Sequence, residues 1–234
     1  MATLQEALAP KRTPLYHLHQ ARSGGNDHWQ PLNGYAVKGA LDDSKEANAA
    51  RLTQCSLSDL SALARLGVRG QKAAGFLTQH GYHLPSAPNQ ALKQPDGSLV
   101  ARLSASEYLL LGSLADAGQR IIQHESQWPS HQSGMYCLPR QDTHAWLALS
   151  GPHISAVMAK LCGVDMRPNV FAPGQVAQTS VARANAIVIN AGGCFYLLVD
   201  TALACYFWSV MLDAMQEFDG QPWSVTALQQ ALES

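Results

Sequence analysis

Hydrophobic positions along the chain switch between strand-like runs and a helical period, and one stretch shows the switch within a few residues. In His144 to Met166, HAWLALSGPHISAVMAKLCGVDM, the apolar run Trp146 to Ser150 predicts a strand and Gly151-Pro152 a turn. Ile154, Val157, Met158 and Leu161 then recur at helical spacing. A second copy lies at Ala64 to Leu84. There Leu63, Leu66 and Val68 mark the strand, Gly70 closes it, and Ala73, Ala74, Phe76 and Leu77 face a helix that Gly81 ends. Superposing Gly70 on Gly151 puts Leu66 on Leu147, Val68 on Leu149, and Phe76-Leu77 on Val157-Met158. The two copies predict two related halves.

The pattern between them fills in the first half. After a loop over Pro85 to Gly97 come strands at Leu99 to Leu103 and Tyr108 to Gly112, a helix at Ala115 to His124, and a strand at Met135 to Leu138. This order, β-α-β-β-α-β, is the split βαβ, ferredoxin-like arrangement. The second half continues with strands at Gln175 to Ala182, Ala186 to Asn190 and Cys194 to Val199, then a helix at Thr201 to Phe218. That helix, with Tyr206, Phe207, Trp208 and Met211 among its residues, is apolar on almost every face, so either the tail and sheet or a partner must cover it. Ser224 is positioned to cap a last short helix carrying Val225, Leu228 and Leu232. At the other end, residues 1–12 read as a weakly helical leader, Ser23 to Gly39 as an irregular loop, and Asp42 to Arg51 as a short helix. The expected class is α+β, two ferredoxin-like halves with antiparallel or mixed sheets. Its expected parts are an N-terminal arm (1–55), a first half (56–142) and a second half (143–234), forming one compact unit.

Composition narrows the function classes. At 47% hydrophobic over 234 residues the chain can build a sizeable core. Its 14% charged residues fall below the roughly 25% of an average domain, which favours a sizeable buried interface. Net charge is −1 with no basic run, so nucleic acid is excluded as a partner. Five cysteines without a CxxC pair suit a reducing compartment, are expected to be buried and inert, and place the protein in the cytoplasm. The longest apolar run, Ala202 to Leu212, is too short to span a membrane.

Candidate chemistry is sparse. Among nine histidines the close pairs are His17-x-His19 and His80-x-x-His83, and neither has a Cys or carboxylate at ligand spacing, so no metal is expected. No cysteine has a nucleophile signature, and Gly24-Gly25 and Gly192-Gly193 lack the spacing of a phosphate or dinucleotide loop. No catalytic residue emerges.

Several stretches together resemble the folate-binding superfamily of the glycine cleavage T-protein (aminomethyltransferase), which includes the gamma subunit of heterotetrameric sarcosine oxidase. Thr13 to His19, TPLYHLH, resembles the T-protein opening TPLYxLH. Leu57 to Ser61, Leu66 to Gly70 and Ala74 to Leu77 are similar to its DxS, xVxG and AxxFL series, and Leu149 to Pro152 to its LxGP turn. Phe171 to Thr179 and the helix through Tyr206 to Ala214 look like the sarcosine oxidase gamma subunit in particular. The resemblance implies a T-protein-like fold, but the polar groups that hold folate in the family do not recur. His83-Leu84 stands where the family has an Asn-Asp pair, Gly112 where it has an asparagine, and the NAGGCFY segment ending at Tyr196 where it brings a glutamate to the pterin. The resemblance therefore implies a degenerate folate pocket at Leu84, Gly112 and Tyr196, and a form expected to lack the family's C-terminal barrel-like domain.

The resemblance thus implies a non-catalytic gamma-type subunit of a sarcosine-oxidase-like, flavin- and folate-dependent demethylating complex. Such a chain binds no cofactor itself and packs on larger flavin- and folate-carrying subunits through apolar surface including Tyr206, Phe207, Trp208 and Met211. The alternative is a stand-alone tetrahydrofolate-binding or aminomethyl-transfer protein with a degenerate pocket.

Overall fold

Long runs of consecutive apolar residues in strands require cover on both faces, and the chain supplies it by stacking two sheets between two layers of helices. The computed structural model describes residues 10–21, 29–39, 55–128, 133–225 and 228–229. In the first half, β5 (Arg65–Arg69), α2 (Ala73–Gln79), β6 (Gln90–Lys93), β7 (Leu99–Arg102), β8 (Glu107–Leu111), α3 (Gln119–Ser126) and β9 (Tyr136–Pro139) follow in order. Their sheet is β6-β7-β8-β5-β9, antiparallel throughout, which is the ferredoxin-like order with β6 added at one edge. The second half holds β10 (His144–Ser150), α4 (Ile154–Leu161), β11 (Val176–Val181), β12 (Ala184–Asn190), β13 (Cys194–Asp200), α5 (Ala204–Met215) and β14 (Gln221–Trp223). The order β11-β12-β13-β10 repeats β6-β7-β8-β5. At the strand-to-helix turn of each copy the glycine is left-handed, Gly70 at φ +140° and Gly151 at φ +107°.

Side-chain alternation divides the core into three. Trp146, Ala148 and Leu198 of one sheet meet Leu99, Ala101, Leu109 and Leu111 of the other. Ala145, Leu147 and Leu149 point the opposite way, onto α4 and α5. Leu66, Val68 and Leu110 likewise pack on Ala73 and Leu77 of α2 and Ile121 of α3. The layers are helix, sheet, sheet, helix, and the two sheets also touch edge to edge. There the Ala91 N–H donates to the Gly174 carbonyl at 2.7 Å and the Val176 N–H to the Asn89 carbonyl at 3.0 Å.

Several expectations change. The division at residue 56 does not follow the sheets: β4 (Ser56–Asp59) pairs antiparallel with β10, and β14 adds beyond it, parallel to β4. The fourth-strand position of the second half is thus filled from upstream of the first. The segment expected as an irregular loop contains a hairpin, β2 (Trp29–Leu32) and β3 (Tyr35–Lys38), turned by Asn33-Gly34 and joined by β1 (Lys11–Arg12). Asn33 (φ +51°) and Gly34 (φ +76°) are both left-handed, as a two-residue hairpin turn demands. Residues 11–12, expected to be helical, are that strand; α1 (Tyr16–Ala21) follows, and most of the leader and the Asp42 to Arg51 helix lie outside the described residues. β6 falls within the expected loop Pro85 to Gly97, and α3 starts at Gln119 rather than Ala115 because Ala117 (φ +55°) and Gly118 are left-handed.

One face of the apolar helix is covered by the chain itself. Phe207, Trp208 and Met211 are completely or almost completely buried in the core beneath the six-stranded sheet, so they offer no surface to a partner. Of the four interface residues expected there, Tyr206 alone is exposed, at 47%, and its hydroxyl donates to the Ala182 carbonyl at 2.9 Å. Cys205 is also exposed and Cys137 half-buried, against the expectation that every cysteine is buried.

Two titrating groups sit in the joints. Burial alone would raise Asp59, but the hydrogen bond and charge of His19 and the hydrogen bonds of Ser61 hold it below its usual value. Burial, reinforced by the charges of Arg140 and Arg65, pushes His144 down to about 4. The unfolded chain, with histidine near 6.5, therefore binds the His144 proton over a window where the fold does not. Its contribution to stability is complete above about pH 6.5 and is lost as pH falls toward 4. Urea unfolding should show stability falling across that window by up to about 1.4 kcal/mol per pH unit, and His144→Gln should flatten the slope. Equal slopes in the two proteins would remove His144 as its source.

Candidate functional site

Where the two sheets diverge at one end of the sandwich, they leave a cavity of about 640 Å³. One wall is the inward face of β10 and β13: Ser150 continues the row of Trp146 and Ala148, while its cross-strand partner Cys194 and the next inward residue Tyr196 continue that of Leu198. The opposite wall is Leu99, then Gly112 to Ala115 beyond the end of β8. Gly151-Pro152, Gly192-Gly193 and Gly97 shape the rim, and Leu228 and Gln229 close one side.

The chemistry of the lining follows from its residue types. Lys93 is its sole charged residue among the described ones, and no carboxylate reaches it. Ser150, 5% exposed, presents an Oγ with no hydrogen-bond partner among the described residues, whereas the Ser113 Oγ accepts from the Ala115 N–H at 2.9 Å. Cys194 and Tyr196 share a side-chain hydrogen bond. Burial pushes the Cys194 thiol up to about 12, against the opposing pull of that bond and of Lys93, so at neutral pH it is a thiol and a poor nucleophile. Burial also raises the Tyr196 phenol, which stays protonated, and its ring stands edge-on to Trp146 at 5.1 Å. The cavity can take a flat, partly apolar molecule with acceptors for hydroxyl and ammonium donors. Its described residues include no carboxylate acceptor for a ring rich in N–H donors.

Two of the three expected pocket positions, Gly112 and Tyr196, line this cavity. Leu84 does not: it packs half-buried against the core between the five-stranded sheet and its helices. Gly112 is fixed by its surroundings, since a Cβ there would lie 2.7 Å from the Gly118 Cα and 3.0 Å from the Ala64 carbonyl oxygen. The position matching an asparagine in the resemblance is therefore closed to any side chain. Ser150, Cys194 and Lys93 are lining residues that sequence reasoning did not single out. Their signal was local: Ser150 precedes the Gly151 turn and Cys194 follows Gly192-Gly193.

The amino-terminal motifs converge at a separate place. Thr13 Oγ1 donates to Asp59 Oδ2 at 2.7 Å, His19 Nε2 lies 3.2 Å from the same oxygen, and the Ser61 N–H donates to Oδ1 at 2.9 Å. With Asp59 buried and both its oxygens occupied, the TPLYHLH and SDLS stretches form a structural lock, not a reactive one. His19 also stands edge-on to Trp208 at 5.1 Å, tying the lock to α5.

Among the described residues no group of three or more His, Cys, Asp or Glu is placed to hold a metal ion, and no helix is long and apolar enough to cross a membrane.

Comparison with known proteins gives the fold a context. No family model matches the chain. It is 29% identical over 169 residues to an aminomethyltransferase of Bacillus velezensis, covering 67% of this chain and 44% of that protein. It is 25% identical over 219 residues to an aminomethyltransferase of Exiguobacterium sibiricum, covering 87% and 58%. The chain thus spans about half the length of the curated relatives it matches. Among solved structures, the glycine cleavage system aminomethyltransferase T of Bartonella henselae superposes with a TM-score of 0.68 at 18% identity, over 93% of this chain and 60% of that one. A chain of the heterotetrameric sarcosine oxidase of Corynebacterium sp. U-96 superposes with a TM-score of 0.63 at 22% identity, over 89% and 96%. Sequence and fold together support the T-protein superfamily.

Restoring the asparagine should fail at the level of packing. Gly112→Asn is expected to lower unfolding free energy by about 1–3 kcal/mol, as overpacked sites do, without creating a folate site. Thermal melting and tetrahydrofolate calorimetry check it; a variant as stable as the parent would contradict the close approach.

Proposed function

From its T-protein-type fold, we propose that this chain is a gamma-type subunit, without catalysis of its own, in a heteromeric sarcosine-oxidase-like demethylating complex of the cytoplasm. The observation that supports the reading is the cavity wall, where Lys93 is the sole charged residue among the described ones and Gly112 leaves no room for a polar side chain. A pterin held in such a site would have its N–H donors unanswered, at roughly 1–3 kcal/mol for each. The near-complete coverage of the sarcosine oxidase chain, 96%, and the low charged fraction, 14%, favour an assembled role. The partners would be larger subunits carrying the flavin and folate. They would dock away from the buried Phe207, Trp208 and Met211, with the exposed Leu203 and Tyr206 the apolar residues that the same helical region still offers.

A second reading is a stand-alone tetrahydrofolate-binding or aminomethyl-transfer protein with a rearranged pocket. The volume of about 640 Å³ and the unpartnered Ser150 Oγ favour it.

Native purification and calorimetry separate the two. The first reading expects the chain to elute with flavin-absorbing subunits, and the isolated chain to show no saturable tetrahydrofolate binding below about 1 mM. A monomer that saturates with tetrahydrofolate at micromolar concentration would overturn it in favour of the second.

A further inference from the structure

On the outer face of the five-stranded sheet, away from the cavity, two imidazoles from different helices meet. His80 follows α2 and is exposed; His124 lies in α3 and is half-buried. Their ring centroids are 5.3 Å apart. Each ring is already oriented through its Nδ1. In His80 that atom is 2.9 Å from the Phe76 carbonyl, which can only accept, so Nδ1 is the donor and Nε2 is the nitrogen left to face a ligand. In His124 the Nδ1 is 3.0 Å from the hydroxyl of the buried Tyr82, which leaves Nε2 as the remaining ring nitrogen. Phe76 packs against the His80 ring at 4.0 Å and Trp128 against Phe76 at 4.9 Å, so the pair rests on an aromatic floor.

We propose that His80 and His124 form a two-imidazole site for a divalent transition metal ion of the zinc class, open to water at its remaining positions. Orientation of a ligating imidazole through its other nitrogen is the arrangement metal sites use to fix tautomer and direction. The spacing fits as well: two imidazoles sharing one tetrahedral zinc through bonds of roughly 2.0–2.1 Å place their centroids about 5.2 Å apart. Burial first, and then the charge of Arg120, favour His124 in its neutral, ligating form. Arg120 is the local opposing charge; its ion pair with Asp96 at 2.9 Å compensates it, which sets the site at modest rather than high affinity. His83, the sequence neighbour of His80, is not part of the site. Gln94 holds its backbone N–H and carbonyl, at 2.8 and 2.9 Å, in a separate turn. The ion would clip the end of α2 to α3 and stabilise the fold by binding the native state alone.

Zinc chloride titrated into the tag-free full chain tests this by calorimetry. One equivalent should bind saturably below about 1 mM, and His80→Gln or His124→Gln should each weaken binding at least about tenfold, while His83→Gln leaves it unchanged. Because a variant can lose its fold, copper(II) bound to the unaltered chain supplies an independent reading: its electron paramagnetic resonance should show two coupled imidazole nitrogens. The proposal is overturned by no saturable uptake, by uptake that survives the double substitution, by loss through His83→Gln alone, or by a copper spectrum with fewer than two imidazoles.

Discussion

A single guanidinium holds the two halves in register. Arg65 is 1% exposed, yet among the described residues no carboxylate pairs with it; its partners there are the backbone carbonyls of Ser61, Leu63, Arg140, Gln141 and His144. The first two belong to the crossing from β4 to β5, Arg140 and Gln141 belong to the crossing from β9 to β10, and His144 is the first residue of β10. Burying a charge costs several kcal/mol unless its donors are answered, and burial pulls Arg65 down to about 10. A fork of five N–H donors in one plane can meet that demand where a lysine ammonium could not. Removing it would leave those carbonyls unanswered in the joint on which both sheets depend.

Around that joint the chain is interleaved rather than merely repeated. β4 leaves the first half to sit between β10 and β14, so the six-stranded sheet cannot be completed without residues that precede the five-stranded one. The Thr13, His19 and Asp59 lock then ties the amino-terminal segment to the end of the same strand. The cavity is a consequence of this seam, because its walls come from both sheets. Among the described residues its lining carries no carboxylate, and Lys93 is its one charged side chain.

Much of this was legible in the sequence, because periodicity reports burial. The two strand-glycine-helix units, the strands around Leu99, Tyr108, Ala186 and Cys194, and the long helix from Thr201 all stand where the pattern puts them. Strand exchange was not legible: Ser56–Asp59 is short, and nothing in it says which sheet it joins. The Asn33-Gly34 hairpin was legible by its turn residues but passed for a loop, since Gly, Asn and Pro also mark irregular chain. α5 misled for a different reason. All-round apolarity says that a helix is covered, not by what, and here α1, α4 and the sheet supply most of the cover. Of the positions taken from the resemblance, Gly112 and Tyr196 line the cavity, while Leu84 lies outside it because alignment fixes sequence position, not the direction of the loop.

The central claim is that Arg65 and the exchanged strand make the halves one cooperative unit, with the cavity as its seam. Native-state hydrogen exchange tests this most directly. Amides of Leu147 and Leu197 in one sheet and of Leu66 and Leu110 in the other should exchange through the same global opening, with one free energy and one denaturant dependence. Two separate openings, one for each sheet, would contradict it.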